Sequence, residues 1–130
     1  MPPTTSFRRG DIVLVSFPFT DLSTTKRRPA LVVSPDSFNE ATSDLVLAAI
    51  TSQISEDTPL MIVESDCVDG ALPKASALKP TKLFTIHSTL VVRRVCALRR
   101  EKLDTVLDDL RQFFSQPAEL PAAAGSVDAE

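Results

Sequence analysis

What most constrains this chain is its punctuation: short runs of β-branched and apolar residues, each stopped by Pro, Gly or a polar cluster. Residues 11–17 (DIVLVSF), between Gly10 and Pro18, read as a strand. Residues 29–34 (PALVVS) read as a second, with Pro29 at the first position, where a missing N–H matters least. Residues 45–52 and 60–64 supply two more. A short strand over 75–78, ahead of Pro80, and strands over 83–87 and 90–95 follow. Between them, residues 19–28 read as a polar loop and 35–43 as a turn or one short helical turn. Residues 67–74, which contain Asp69-Gly70, read as a turn.

The period changes once. Leu103, Val106, Leu107, Leu110, Phe113 and Phe114 fall on one face of a helix starting near residue 101, an ordinary core stripe. Residues 115–130 (SQPAELPAAAGSVDAE) read as a flexible acidic tail beyond a domain over 1–114. Many short strands followed by one helix predict a mainly β fold, a small, strongly curved antiparallel sheet or barrel with a C-terminal helix as its cap. The first three strands are apolar at nearly every position. Both of their faces should therefore be covered, one by the core and the other by the helix or by a second subunit in a homodimer.

Composition narrows the function. At 130 residues the chain is one domain, and no apolar run approaches the ~18–20 residues needed to span a bilayer. The first ten residues are polar and basic with no apolar stretch behind them, so no signal peptide and a cytoplasmic location are expected. Cys67 and Cys96 read as free thiols of a reducing compartment, and a single histidine, His87, leaves a zinc site of Cys/His type without ligands. Neither metal nor cofactor is expected. The net charge of −3 argues against a polyanion partner until it is mapped. Residues 1–103 carry 13 Lys/Arg against 11 Asp/Glu, whereas residues 104–130 carry only Arg111 against six acids. The body is mildly basic, which permits nucleic-acid binding without requiring it.

The run Gly10 to Asp21 (GDIVLVSFPFTD) and then Arg28 to Ser34 (RPALVVS) resembles the start of the MazF/PemK toxins. Ala49-Ile50-Thr51-Ser52-Gln53, the Gly-x-Leu-x-Lys-x-Ser stretch from Gly70 to Ser76, and Lys82-Leu83-x-Thr85-Ile86 before a terminal helix agree with it. The resemblance runs in order over roughly residues 7–114, which makes it more specific than any single motif. It implies an SH3-like barrel, a homodimer, metal-independent and sequence-selective cleavage of single-stranded RNA, and neutralisation by an antitoxin protein.

RNA can be cut without metal through its own 2′-hydroxyl, provided the charge developing on phosphorus is stabilised. Read alone, Arg28 is an exposed arginine at a strand edge. The resemblance makes it a catalytic position, suited to charge stabilisation because a guanidinium grips two phosphate oxygens at once. Thr51, read alone a good strand residue, matches the family's catalytic hydroxyl, with Ser52 and Gln53 as substrate contacts by the same resemblance. Lys26, Arg27, Lys79 and Lys82 are candidates to line the RNA groove, and Phe19 to stack an unpaired base. Arg8-Arg9, Arg93-Arg94 and Arg99-Arg100 read as solvated faces or interface contacts. The proton acceptor is open. Some relatives place a carboxylate in the segment that here reads Lys79-Pro80-Thr81-Lys82, and His87 has no spacing that links it to Arg28 and Thr51. Two other readings stay open: a non-nuclease toxin of this fold that poisons a protein such as DNA gyrase, and a module that binds RNA or an antitoxin without cutting.

Overall fold

The computed structural model describes residues 6–18, 25–54 and 60–117; of residues 17, 18, 25 and 26 it describes the backbone alone. The elements run β1 (Asp11–Pro18), β2 (Thr25–Val32), α1 (Asp36–Thr42), β3 (Asp44–Thr51), β4 (Leu60–Ile62), β5 (Cys67–Val68), β6 (Ser76–His87), β7 (Val91–Leu98) and α2 (Arg100–Ser115). The strands form one antiparallel sheet in the order β4-β6-β3-β2-β1-β7-β5. Its two edge strands, β4 and β5, follow one another in the chain with only residues 63–66 between them. So short a link brings the edges together, and the sheet curls into a nearly closed SH3-like barrel.

Asp66 holds that seam. Its carboxylate accepts the Val63 N–H at 2.9 Å and meets Arg99 at 3.2 Å and the Lys102 ammonium at 3.6 Å. Burial works to raise this carboxyl, but the Val63 amide, Arg99 and Lys102 outweigh it and hold it below the ordinary carboxylate range. Arg99 stands at the N-cap of α2 without capping it, because a guanidinium has no acceptor for the free N–H groups of the first turn; it donates to Asp66. The same contacts therefore join the barrel seam to the start of the helix.

Two apolar clusters occupy the two faces of β1, β2 and β3. On one, Ile12, Leu31, Val33, Ala48 and Ile50 pack with Cys96 and with Leu103, Val106 and Leu110 of α2. On the other, Val13, Val15, Ala30, Val32, Leu45 and Leu47 pack with Ile86, and Phe7, Phe84 and Val91 lie against them. The doubly apolar strands are thus satisfied within one chain, and their pattern does not by itself call for a second subunit. Among the described residues no helix is long and apolar enough to cross a membrane.

Several expectations need correction. β2 begins at Thr25, so Arg27 and Arg28 are strand residues paired with Ser16 and Val15, not loop residues. Hydrogen bonds from β1 outweigh the polar character of that stretch. Residues 67–68, just ahead of the Asp69-Gly70 turn, form β5, a strand not expected from the sequence, because β7 offers a partner. The strands expected over 75–78 and 83–87 are one strand, β6, interrupted by a bulge. Segment 35–43 holds a seven-residue helix, closed by Ser43 in the left-handed region. The stripe on α2 is core only through Leu110; Phe113 and Phe114 are 49% and 66% exposed, and Phe114 borders an open groove with Phe38, Val46 and Leu83. Residues 118–130 of the expected tail lie outside the described residues.

Candidate active site

The site arises where β2 and β3 part. The ladder between them runs Val32↔Leu47, Leu31↔Ala48 and Ala30↔Ala49, and there it stops. The Val33 N–H donates to the Val46 carbonyl, so odd-numbered residues of this strand direct their backbone groups toward β3. Pro29 is the next odd position after Leu31 and has no N–H to offer Ile50. The pairing ends for that reason. Continued in the same register, Arg28 stands opposite Thr51 and Arg27 opposite Ser52, on strands no longer bonded to each other.

Alternation sends these pairs to opposite faces of the sheet. One cavity, about 440 Å³, is lined by Arg28, Ala49, Thr51, Gln53, Lys79, Lys82, Leu83 and Phe84. The other, about 450 Å³, is lined by Arg27, Ser52, Lys74, Ser76 and Arg93 over an apolar floor that includes Leu14, Pro29 and Ile50. Arg28 borders both. The sites expected from the sequence are thus divided: Thr51, Gln53, Lys79 and Lys82 share the first cavity with Arg28, while Arg27 and Ser52 share the second. Phe19 and the side chain of Lys26 lie outside the described residues.

Each side chain is positioned by an identifiable device. The Thr51 hydroxyl accepts the Gln53 N–H at 3.0 Å, a turn that ends β3 and leaves the hydroxyl proton available. Lys79 precedes a bulge and Lys82 is its last residue: Ala49 pairs with Lys79 and Ala48 with Leu83, so residues 80–82 are extruded from the ladder. Pro80 suits that place because a bulged residue makes no ladder bond. Across the second cavity, Leu14 pairs with Pro29 on one side and Arg93 on the other, which sets Arg93 in the same row.

Other candidates fall away from this cleft. His87 pairs with Asp44 at the opposite end of β3, seven residues from Thr51 and so about 23 Å along the strand. Its ring bonds Thr89 instead. Asp11 is buried at the start of β1, accepting the Arg8 N–H at 2.9 Å and pairing with Arg94 at 2.9 Å, which raises the Arg94 pKa chiefly through that hydrogen bond. Among the described residues lining either cavity there is no Asp, Glu or His, and no cluster of three or more His, Cys, Asp or Glu side chains suits a metal ion anywhere in the described structure.

Sequence reasoning missed Lys74, Ser76 and Arg93. Lys74 and Ser76 fall inside the Gly70–Ser76 motif without a role, and Arg93 reads with Arg94 as a solvated face or interface contact. Alternation along a strand was the available signal, since neighbours on β7 must face opposite ways.

Fold and site together define a class: a small antiparallel barrel capped by a helix, with a cationic cleft where two central strands separate. Solved structures share the architecture. An endoribonuclease from Mycobacterial species, in complex with its cognate antitoxin, superposes with a TM-score of 0.67 at 16% identity, covering 88% of this chain and 99% of that one. MazF in a MazE-MazF structure from Deinococcus radiodurans gives 0.69 at 17% identity, covering 88% and 100%. The Mycobacterium tuberculosis toxin MazF-mt6 gives 0.63 at 16%, covering 83% and 99%. At such identities the likeness establishes the fold. No curated protein matches the sequence. The family model of PemK-like, MazF-like toxins of type II toxin-antitoxin systems matches residues 8–114, and the chain belongs to that family.

Proposed function

We propose that this toxin is a metal-independent endoribonuclease that cuts single-stranded RNA by attack of the substrate's own 2′-hydroxyl: the O2′–P bond forms as the P–O5′ bond breaks, leaving a 2′,3′-cyclic phosphate, while water takes the 2′-hydroxyl proton and supplies one to the departing 5′-oxygen. The observation that carries the reading is that Arg28 and Thr51, just beyond the last β2–β3 pair Ala30↔Ala49, line one cavity with Lys79 and Lys82. Arg28 holds two non-bridging oxygens of the scissile phosphate and stabilises the charge that builds there. Thr51, its oxygen oriented by the Gln53 amide, donates a hydrogen bond to a phosphate oxygen. Lys79 and Lys82 position neighbouring phosphates. With no acid or histidine among the described lining residues, the proposed catalysis rests on charge stabilisation, not on a matched acid–base pair.

In this reading the toxin works as a homodimer in the cytoplasm and is restrained by an antitoxin whose acidic segment crosses the cationic cleft. The neighbour from Mycobacterial species was solved with its cognate antitoxin, which supports that partner class. The test is incubation of the protein with a long unstructured RNA in EDTA, with the ends mapped. Discrete cuts should survive EDTA and fall about 10²–10³-fold in Arg28→Ala, as for removal of a main charge-stabilising donor. Arg28→Lys should recover little, because an ammonium cannot grip two oxygens. Intact RNA with the unmodified protein would sink the reading. Tight RNA binding without product would point to a binding-only module, which the acid-free cavity lining favours over the remaining alternatives.

A further inference from the structure

We propose that the second cavity, on the sheet face away from Thr51, grips the phosphate next to the cleaved one, with Arg93 as its principal contact and Lys74 and Arg27 beside it. This deepens the RNA reading above and rests on it.

The contrast between Arg93 and Arg94 is the starting point. Arg94 is committed to the fold, 2.9 Å from buried Asp11 and 3.8 Å from Asp69. Arg93 turns to the opposite face and lines the cavity. Among the described residues no carboxylate lies within ion-pair distance of Arg93, Lys74 or Arg27. Elsewhere the chain pairs its cations readily: Arg8, Arg99, Arg100, Lys102 and Arg111 each meet an acid. Three cations with no acid partner among the described residues, gathered over a floor of Leu14, Pro29 and Ile50, repel one another until an anion joins them.

The loop that carries Lys74 is held in place. Buried Ser76 donates its hydroxyl to the Lys74 carbonyl at 2.9 Å, and Gly70 lies against the Val95 backbone. The two cavities meet at Arg28, so a strand with its scissile phosphate on Arg28 has a continuous path over the Pro29 rim into the second cavity. A guanidinium suits phosphate by its planar pair of donors. A contact of this kind positions the chain and does not read bases.

The experiment measures binding without cleavage. An RNA carrying a single 2′-deoxy nucleotide at the mapped cut, or at every position if no cut is found, is titrated by fluorescence anisotropy across a salt series. Each phosphate contact to a single strand contributes about 0.7 to the slope of log affinity against log salt. Arg93→Gln and Lys74→Gln should each flatten the slope by about 0.7 and weaken binding about threefold to tenfold near physiological salt, with the cut sequence unchanged. Arg100→Gln, on the outer face of α2, should change nothing. Unaltered affinity and slope in both cavity variants would overturn the proposal. So would a loss of affinity accompanied by a changed hydrodynamic mass, which would make Arg93 an interface residue, or a loss confined to antitoxin binding. The two readings fail separately: uncut RNA whose binding still depends on Arg93 removes only the ribonuclease, and efficient cutting with binding indifferent to Arg93 removes only this subsite.

Discussion

Replacing Gly70 by alanine tests the geometry that places the Lys74 loop. Gly70 has φ +139, and a Cβ built there would sit 2.2 Å from the Val95 carbonyl oxygen and 3.2 Å from Cys96 Cβ. Asp69 before it is already left-handed at φ 57, so the turn cannot pass its strain to its neighbour. The backbone conformation alone costs an L-residue about 1–3 kcal/mol. Relieving the clash means moving β7 or the turn by roughly 1 Å, and β7 is pinned to β1 through Ile12↔Cys96 and Asp11↔Ala97. One or two lost ladder bonds at about 1 kcal/mol each bring the total to about 2–5 kcal/mol. At about 4 °C per kcal/mol for a domain this size, Tm should fall by about 8–20 °C. Gly10→Ala is the internal comparison. Its φ is +100, but the new Cβ meets only the Leu103 Cδ2 at 3.0 Å, the far end of a side chain that can turn away. It should cost about 1–3 kcal/mol, the conformational part alone. Urea unfolding of both variants measures the difference. A Gly70→Ala protein within 1 kcal/mol of the parent, or less affected than Gly10→Ala, would refute the turn as described.

Three further outcomes follow from the packing and charge. The Asp66 carboxyl is held below its ordinary range, so its contribution is fully present above the unfolded value near pH ~3.9 and disappears as pH falls through the folded value; Asp66→Asn should flatten the acid limb of a stability–pH curve, and an unchanged limb would place the acid sensitivity elsewhere. On α2, Leu103→Ala, at 8% exposure, should cost about 2–4 kcal/mol, whereas Phe113→Ala, at 49%, should cost under about 1 kcal/mol in the same denaturant series; equal losses would mean the helix packs in another rotation. Burial, with Cys67 alongside, pushes the Cys96 thiol up to about 12, so alkylation of the native protein near neutral pH should label Cys67 and spare Cys96 until unfolding, as peptide mass mapping would show.

The amino-acid sequence alone determined the strand-rich body, its apolar core positions and the closing helix, because hydrophobic period and Pro/Gly punctuation act over a few residues. It also marked Arg28 and Thr51 as candidates for the site, although only through the family motif around them; taken singly each reads as an ordinary strand or edge residue. Tertiary structure decided what depends on pairing between distant segments. β5 exists because β7 offers it a ladder, and β6 absorbs Pro80 because the three-residue bulge at 80–82 needs no ladder bond there. The start of β2 at Thr25 follows from hydrogen bonds along β1, which local polarity could not announce. The parting of β2 and β3 likewise brings Arg28 and Thr51 into one cavity, and alternation divides Arg93 from Arg94, one toward the second cavity and one toward Asp11. A chain's period reports which residues share a face; which face opens onto a cleft is settled only when the strands have found their neighbours.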